Sequence, residues 1–132
     1  MHSTNYFDTF IQIAEDCPES TGVVPPEKEP KTAARRAWEM LSGHDYEYTS
    51  DDVLYAVNGQ HKGLSREAFY SAGQPCFRAS PLTKRYGWGI HHDRDGKIAL
   101  VARDSARYRS LSEDTSLKQL RAMRSAKKKA GE

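Results

Sequence analysis

The sequence predicts an α+β fold, a small antiparallel sheet with helices packed on one face. Three observations predict it. Residues 86–102 read as two apolar runs around Asp93-Arg94-Asp95-Gly96, the pattern of a hairpin whose turn uses Gly96 at positive φ. Residues 7–14, FDTFIQIA, mix Phe, Ile and Thr with polar residues as a strand does. Several remaining segments carry apolar residues at helical spacing, opened by Ser or Thr and closed by Gly.

Taken in order, the strand at 7–14 is stopped by Cys17-Pro18. Residues 15–31 are rich in acids and proline (Pro18, Pro25, Pro26, Pro30), which forbids helix and leaves an ordered wrap or a loose loop. Thr32 caps a helix running to Ser42, with Ala34, Ala37, Trp38 and Leu41 on one face and Gly43 as its stop. That stripe predicts Trp38 in the core. Ser50 is expected to cap a second helix, SDDVLYAVNG, with Asp51 and Asp52 complementing its dipole and Val53, Leu54 and Val57 facing inward. Ser65 opens a third, SREAFYSAG, with Glu67 near its start. Residues 73–90, GQPCFRASPLTKRYGWGI, show no helical periodicity and read as a surface loop feeding the strand from Tyr86 to His92. Tyr86, Trp88 and Ile90 should share one strand face, with Trp88 largely buried. Lys97 to Ala102 returns. Asp104 is expected to cap a short helix, DSARYRSLS, and Thr115 or Ser116 a last one, SLKQLRAMRSAKKK, buried through Leu117, Leu120 and Met123. Residues 127–132 are expected to fray.

The chain of 132 residues is the size of one domain, and one domain over 1–132 is the expectation. With 37% hydrophobic residues and a mean hydropathy of −0.81 the core must be modest, so seven tyrosines and two tryptophans matter. No apolar run approaches the roughly 20 residues that span a bilayer, so no membrane partner is expected. MHSTNYFDTF lacks the basic and apolar regions of a signal peptide. Cys17 and Cys76 form no ligand pair, and a cytoplasmic protein with two reduced thiols is the simplest reading. Residues 1–60 hold eleven acids and four bases, a net of −7, and the remainder nets +9. A basic second half suits an anionic partner. The plainer reading is attraction between the halves within one domain.

The 73–90 segment gathers the residues best suited to a ligand. Arg78, Lys84 and Arg85 flank a Ser-Pro turn, Ser80 and Thr83 add hydroxyls, Tyr86 and Trp88 add aromatic walls, and Gly73, Gly87 and Gly89 permit close backbone approach. Such a set can hold a phosphate or carboxylate, with the three cations expected to line the main concave surface. It lacks Walker or GxGxxG spacing, so no cofactor is expected. The plain alternative is a solvated turn whose arginines pair with acids of the first half. Cys76 would be a nucleophile with His91 or His92 as base, or else a small buried hydrophobe. His91-His92 with Asp93 and Asp95 would ligate a metal only if adjacent strand residues faced the same way, which they do not. Lys118, Arg121, Arg124 and Lys128 would touch nucleic acid, or else simply be the solvated end of a helix.

The stretches MHSTNYFDTFIQIAEDCP, YTSDDV, GQPCFRASPLTKRYGWGIH, GKIAL and SLKQLRAMRS together resemble a small bacterial family of single-domain proteins, catalogued only as a domain of unknown function. The resemblance runs nearly the whole length. It implies a stand-alone cytosolic protein and carries over no activity, cofactor or catalytic residue. Three functions stay open. The first is a binding module for an anionic small molecule or nucleic acid through the Arg78–Trp88 loop. The second is an enzyme using Cys76 or His91. The third is a structural or interaction protein with no ligand.

Overall fold

A computed structural model describes residues 2–126. Its strands are β1 (Thr9–Gln12), β2 (Trp88–His92), β3 (Ile98–Ala102) and β4 (Lys118–Arg121), in the spatial order β3-β2-β1-β4. β1 and β2, and β2 and β3, pair antiparallel, as the hairpin and the N-terminal strand predicted. β4 pairs parallel to β1. Pairing aligns Leu100, Ile90, Ile11 and Leu120 in one row across the sheet. The next row, Ala99, His91, Phe10 and Gln119, points to the opposite face because side chains alternate.

The helices are α1 (Ala33–Leu41), α2 (Ser50–Leu54), α3 (Arg66–Phe69), α4 (Pro81–Lys84) and α5 (Ala106–Ser112). The Ile11 face packs against Ala37 and Leu41 of α1, Val53 and Leu54 of α2, and Val57, Phe77 and Leu82, forming the main core. α5 lies on the other face, where Tyr108 meets Phe10 edge-on at 5.0 Å. Gly89 is required there, since a Cβ would sit 2.7–2.9 Å from Phe10 and Tyr108. No described helix is long and apolar enough to cross a membrane.

Local chemistry explains where the boundaries differ from expectation. Thr49, not Ser50, caps α2, in a reciprocal box with Asp52. Ser50 is inside, its hydroxyl 2.8 Å from that of Thr4. Asp51 does more than complement a dipole. It is buried and accepts from Ser3 Oγ, Thr4 N and Thr4 Oγ1, tying the N-terminal strap down. Beyond Leu54 the helix widens into a π-helical turn, Tyr55–Gly59, then tightens into a 3₁₀ turn, Gln60–Lys62. Ser105 caps α5, while Asp104 accepts from Gly22 N at 3.1 Å. Residues 15–31 form the ordered wrap: Val23 N donates to Tyr86 O, and Trp88 Nε1 to Val23 O.

The expected last helix is a strand through residue 121. Its presumed cap, Ser116, donates from both N and Oγ to Asp114 Oδ1 in a local turn. The open edge of β1 then recruits 118–121, whose amides and carbonyls complete the ladder. Pairing across more than a hundred residues outweighs a weak local preference. Residues 122–126 are irregular, and Met123, expected on the buried face, is exposed; the end of that expected helix and the fraying of 127–132 lie outside the described residues.

Candidate functional site

The 73–90 segment is more ordered than a loop. Residues Phe77–Ala79 form a 3₁₀ turn, and Ser80 caps α4 with Pro81 in its first turn, where proline's missing N–H is harmless. Both turns are too short to show periodicity. The hydroxyls meant for a ligand are engaged. Ser80 Oγ accepts from Leu82 N, and buried Thr83 donates to Phe77 O at 2.7 Å. Arg78 Nε donates to Arg121 O at 2.7 Å while Arg78 O accepts from Met123 N. It therefore covers the outer edge of β4. Lys84 and Arg85 close α4, with Lys84 half-buried and Arg85 exposed. Tyr86 precedes β2. Trp88 is half-buried against the core, its indole N–H bonded within the protein. Gly87 has φ of 78° and lies under Thr21, whose oxygen would be 2.1 Å from a Cβ.

The first half of the segment borders a cavity of about 200 Å³. Ala33, Ala34 and Ala37 of α1 form one wall, Leu54, Val57 and Asn58 a second, and Pro75, Cys76, Ala79, Ser80 and Pro81 a third. Arg78, Lys84, Arg85, Tyr86 and Trp88 do not line it. The alanines leave the space, and the π-helical turn presents Asn58 into the second wall. Gly59 fixes that turn, because a Cβ would lie 2.8 Å from Phe69 and Tyr55. The sequence predicts an ordinary helix over SDDVLYAVNG, which hides the π-helical turn and this wall.

At the cavity's edge the Cys76 thiol lies 3.3 Å from the Tyr6 hydroxyl. Burial and the thiol hold the Tyr6 phenol above its ordinary pKa, so it is no base. The Tyr6 ring meets His92 edge-on at 5.4 Å. His92 is fully buried, with neither ring nitrogen bonded among the described residues, and burial pushes its pKa down to about 4. A nucleophilic cysteine needs a base within about 3 Å. Cys76 has a phenol there.

A model described as a family of unknown function, DUF6157, matches residues 1–128. The chain belongs to this family. No curated protein and no solved structure matches it.

A second group of polar side chains in this DUF6157 protein lies on the α5 side of the sheet. His91 and His92 point to opposite faces, as strand alternation requires. His91 Nδ1 is 2.6 Å from the Tyr46 hydroxyl, and their rings stand perpendicular at 5.5 Å. Arg107 Nη2 also donates to that hydroxyl, and its Nη1 donates to Asp45 at 2.9 Å. Burial and then Arg107 hold His91 below the usual histidine range. Sequence reasoning singled out His91 but not Tyr46, Asp45 or Arg107, which stand in no recognisable spacing from it.

Proposed function

We propose that this DUF6157 protein is a binding module whose ligand is a small, mostly apolar molecule seated between α1, the π-helical turn and residues 75–81. The observation that carries this reading is the 200 Å³ cavity walled by alanine, leucine, valine and proline with Asn58, Cys76 and Ser80 among them. Apolar walls with a few polar groups are the usual make-up of a ligand site. Its size suits a small aromatic molecule of one ring or two fused rings, since an apolar cavity of about 150 Å³ already takes up benzene. The π-helical turn adds support, because such turns recur at functional sites. The reading keeps the binding class expected from the sequence and the 73–90 segment, and changes the ligand chemistry. An anion held by Arg78, Lys84 and Arg85 has less support, because Arg78 is engaged at β4 and the Ser80 and Thr83 hydroxyls are engaged internally. The reading also includes a reducing, cytoplasmic setting, in keeping with Cys17 and Cys76 both being free thiols.

The test is a titration of ¹⁵N-labelled protein with small neutral aromatic compounds, indole among them, and with inorganic phosphate at matched ionic strength. Indole is expected to shift the amides of Ala34, Val57, Asn58 and Ala79 saturably. Saturable phosphate shifts confined to Arg78, Lys84 and Arg85, with no response to any neutral compound, would restore the anionic reading.

A further inference from the structure

Two basic stretches far apart in the sequence, 78–85 and 121–124, meet at one end of the sheet. Arg78 Nε donates to Arg121 O and Arg78 O accepts from Met123 N, both at 2.7 Å. Ala14 N, just past β1, donates to Thr83 O, and Glu15 beside it pairs with Arg124 at 3.1 Å. The same end collects Arg103, because Trp88 pairs with Ala102 and Arg103 N donates to Gly87 O at 2.9 Å. It is the end where β1, β3 and β4 finish and β2 begins.

The charges there are unequal. Arg78, Lys84, Arg85, Arg103, Arg121 and Arg124 stand against Glu15, Asp16, Glu19 and Asp104. Of these cations only Arg124 pairs with a carboxylate among the described residues. Arg78 and Arg103 bond instead to carbonyl oxygens, those of Arg121 and Glu19, which leaves their charge in place. Asp16 is turned to the amides of Ser125 and Ala126, and Asp104 to that of Gly22. Ala126 is followed in sequence by Lys127, Lys128 and Lys129.

These cations form a row, not a pocket. Neighbouring strands lie about 4.8 Å apart, so four strand ends extend over about 14 Å. Arg103 follows β3, Arg85 precedes β2, and Arg121 and Arg124 stand on the β4 side. A single phosphate needs donors converging on one point, whereas a row of cations suits a linear polyanion whose phosphates recur at a regular spacing. Tyr86 lies in the row between Arg85 and Gly87, half-buried, with part of its ring open to solvent. An accessible aromatic ring beside cations is what an unpaired base stacks on.

We propose that this end of the sheet binds single-stranded nucleic acid, with the row from Arg103 to Arg121 following the phosphates and Tyr86 stacking on a base. None of these side chains lines the apolar cavity, so the surface stands or falls without it.

The test follows the fluorescence anisotropy of labelled oligo-dT and oligo-U of about 12 nucleotides, a length within the usual site size, on addition of the whole chain. Between about 50 and 200 mM chloride the wild type is expected to bind about twentyfold more weakly, the dependence for three phosphates neutralised on a single strand. Arg85→Gln with Arg103→Gln and Arg121→Gln, all exposed positions, should weaken binding about tenfold or more and flatten that dependence. Lys62→Gln with Arg94→Gln and Lys118→Gln, exposed positions away from this end, should bind as wild type. Tyr86→Ala should weaken binding about fivefold or more while keeping the salt dependence. The wild-type salt dependence and the exposed triple variants carry the test even where Tyr86→Ala fails to fold. No binding at the lower salt, equal loss in the two triple variants, unchanged binding in folded Tyr86→Ala, or binding to phosphatidylserine vesicles with none to either oligonucleotide would each overturn the proposal.

Discussion

His92 shows how one residue sets a property of the whole chain. It lies on the core face between Thr9 and Ile98 in the sheet register, and Tyr6 closes over it. Its pKa falls from 6.5 to about 4, first through burial, so the folded protein prefers the neutral ring. The unfolded chain takes up the proton at about pH 6.5, so stability falls as pH drops from there towards 4 and levels off below. Between pH 7 and 4.5 the loss from this group is about 2–3 kcal/mol. His91 is shifted the same way and adds to it. Denaturant midpoints at the two pH values should therefore separate more in wild type than in His92→Leu, by that amount. An equal drop in both would place the acid sensitivity elsewhere. That the two histidines face opposite ways was legible in strand alternation. The burial of His92 was not, because the residue covering it, Tyr6, lies outside any regular element.

At the scale of elements, α1 was legible almost to the residue. Thr32 caps it, Ala34, Ala37 and Leu41 are buried, and Ser42 and Gly43 end it. Trp38 packs against the core from a half-buried position with Arg35 stacked 5.0 Å above it. Trp38→Ala should cost about 2–3 kcal/mol, below the full-burial range. Trp38→Phe should cost far less, since the indole N–H has no partner among the described residues to lose. Equal chemical-denaturation curves for Trp38→Ala and wild type would remove Trp38 from the core. β4 was misread because Ser116 before it and its basic residues suit a helix, while the feature that decides it, the open edge of β1, is more than a hundred residues away. The same distance hid the role of Arg78, which reads as a ligand cation in sequence and guards a sheet edge in the fold. Unpaired edges invite pairing with another chain. Arg78→Ala is expected to promote concentration-dependent self-association, measured by light scattering. A strictly monomeric variant at all concentrations would show the edge to be protected by other means.

For the whole molecule, the charge asymmetry resolves partly as attraction between the two halves. Arg66 pairs with Asp52, Arg107 with Asp45 and Arg124 with Glu15, each across the divide at residue 60. All three pairs are well exposed, so each contributes at most about 1 kcal/mol. Cohesion comes mainly from the apolar row through Leu100, Ile90, Ile11 and Leu120 and the helices on it. Three strands of that row, β1, β2 and β3, and the helix stripes were visible in the sequence, while Leu120 was expected on a helix. The cavity was not, because three segments far apart in the chain build it from residues that are individually unremarkable: alanines, prolines and an asparagine beside a glycine. The most direct measurement on the cavity is to fill it. Ala33 is exposed on the first turn of α1, so Ala33→Phe can project a ring into the space without disturbing the core. Indole titrations of ¹⁵N-labelled wild type and Ala33→Phe, with melting curves for both, decide the matter. The account predicts that the variant melts at or above the wild-type temperature and that the indole-dependent shifts at Val57, Asn58 and Ala79 disappear. Unchanged indole shifts at those amides in the filled variant would contradict it.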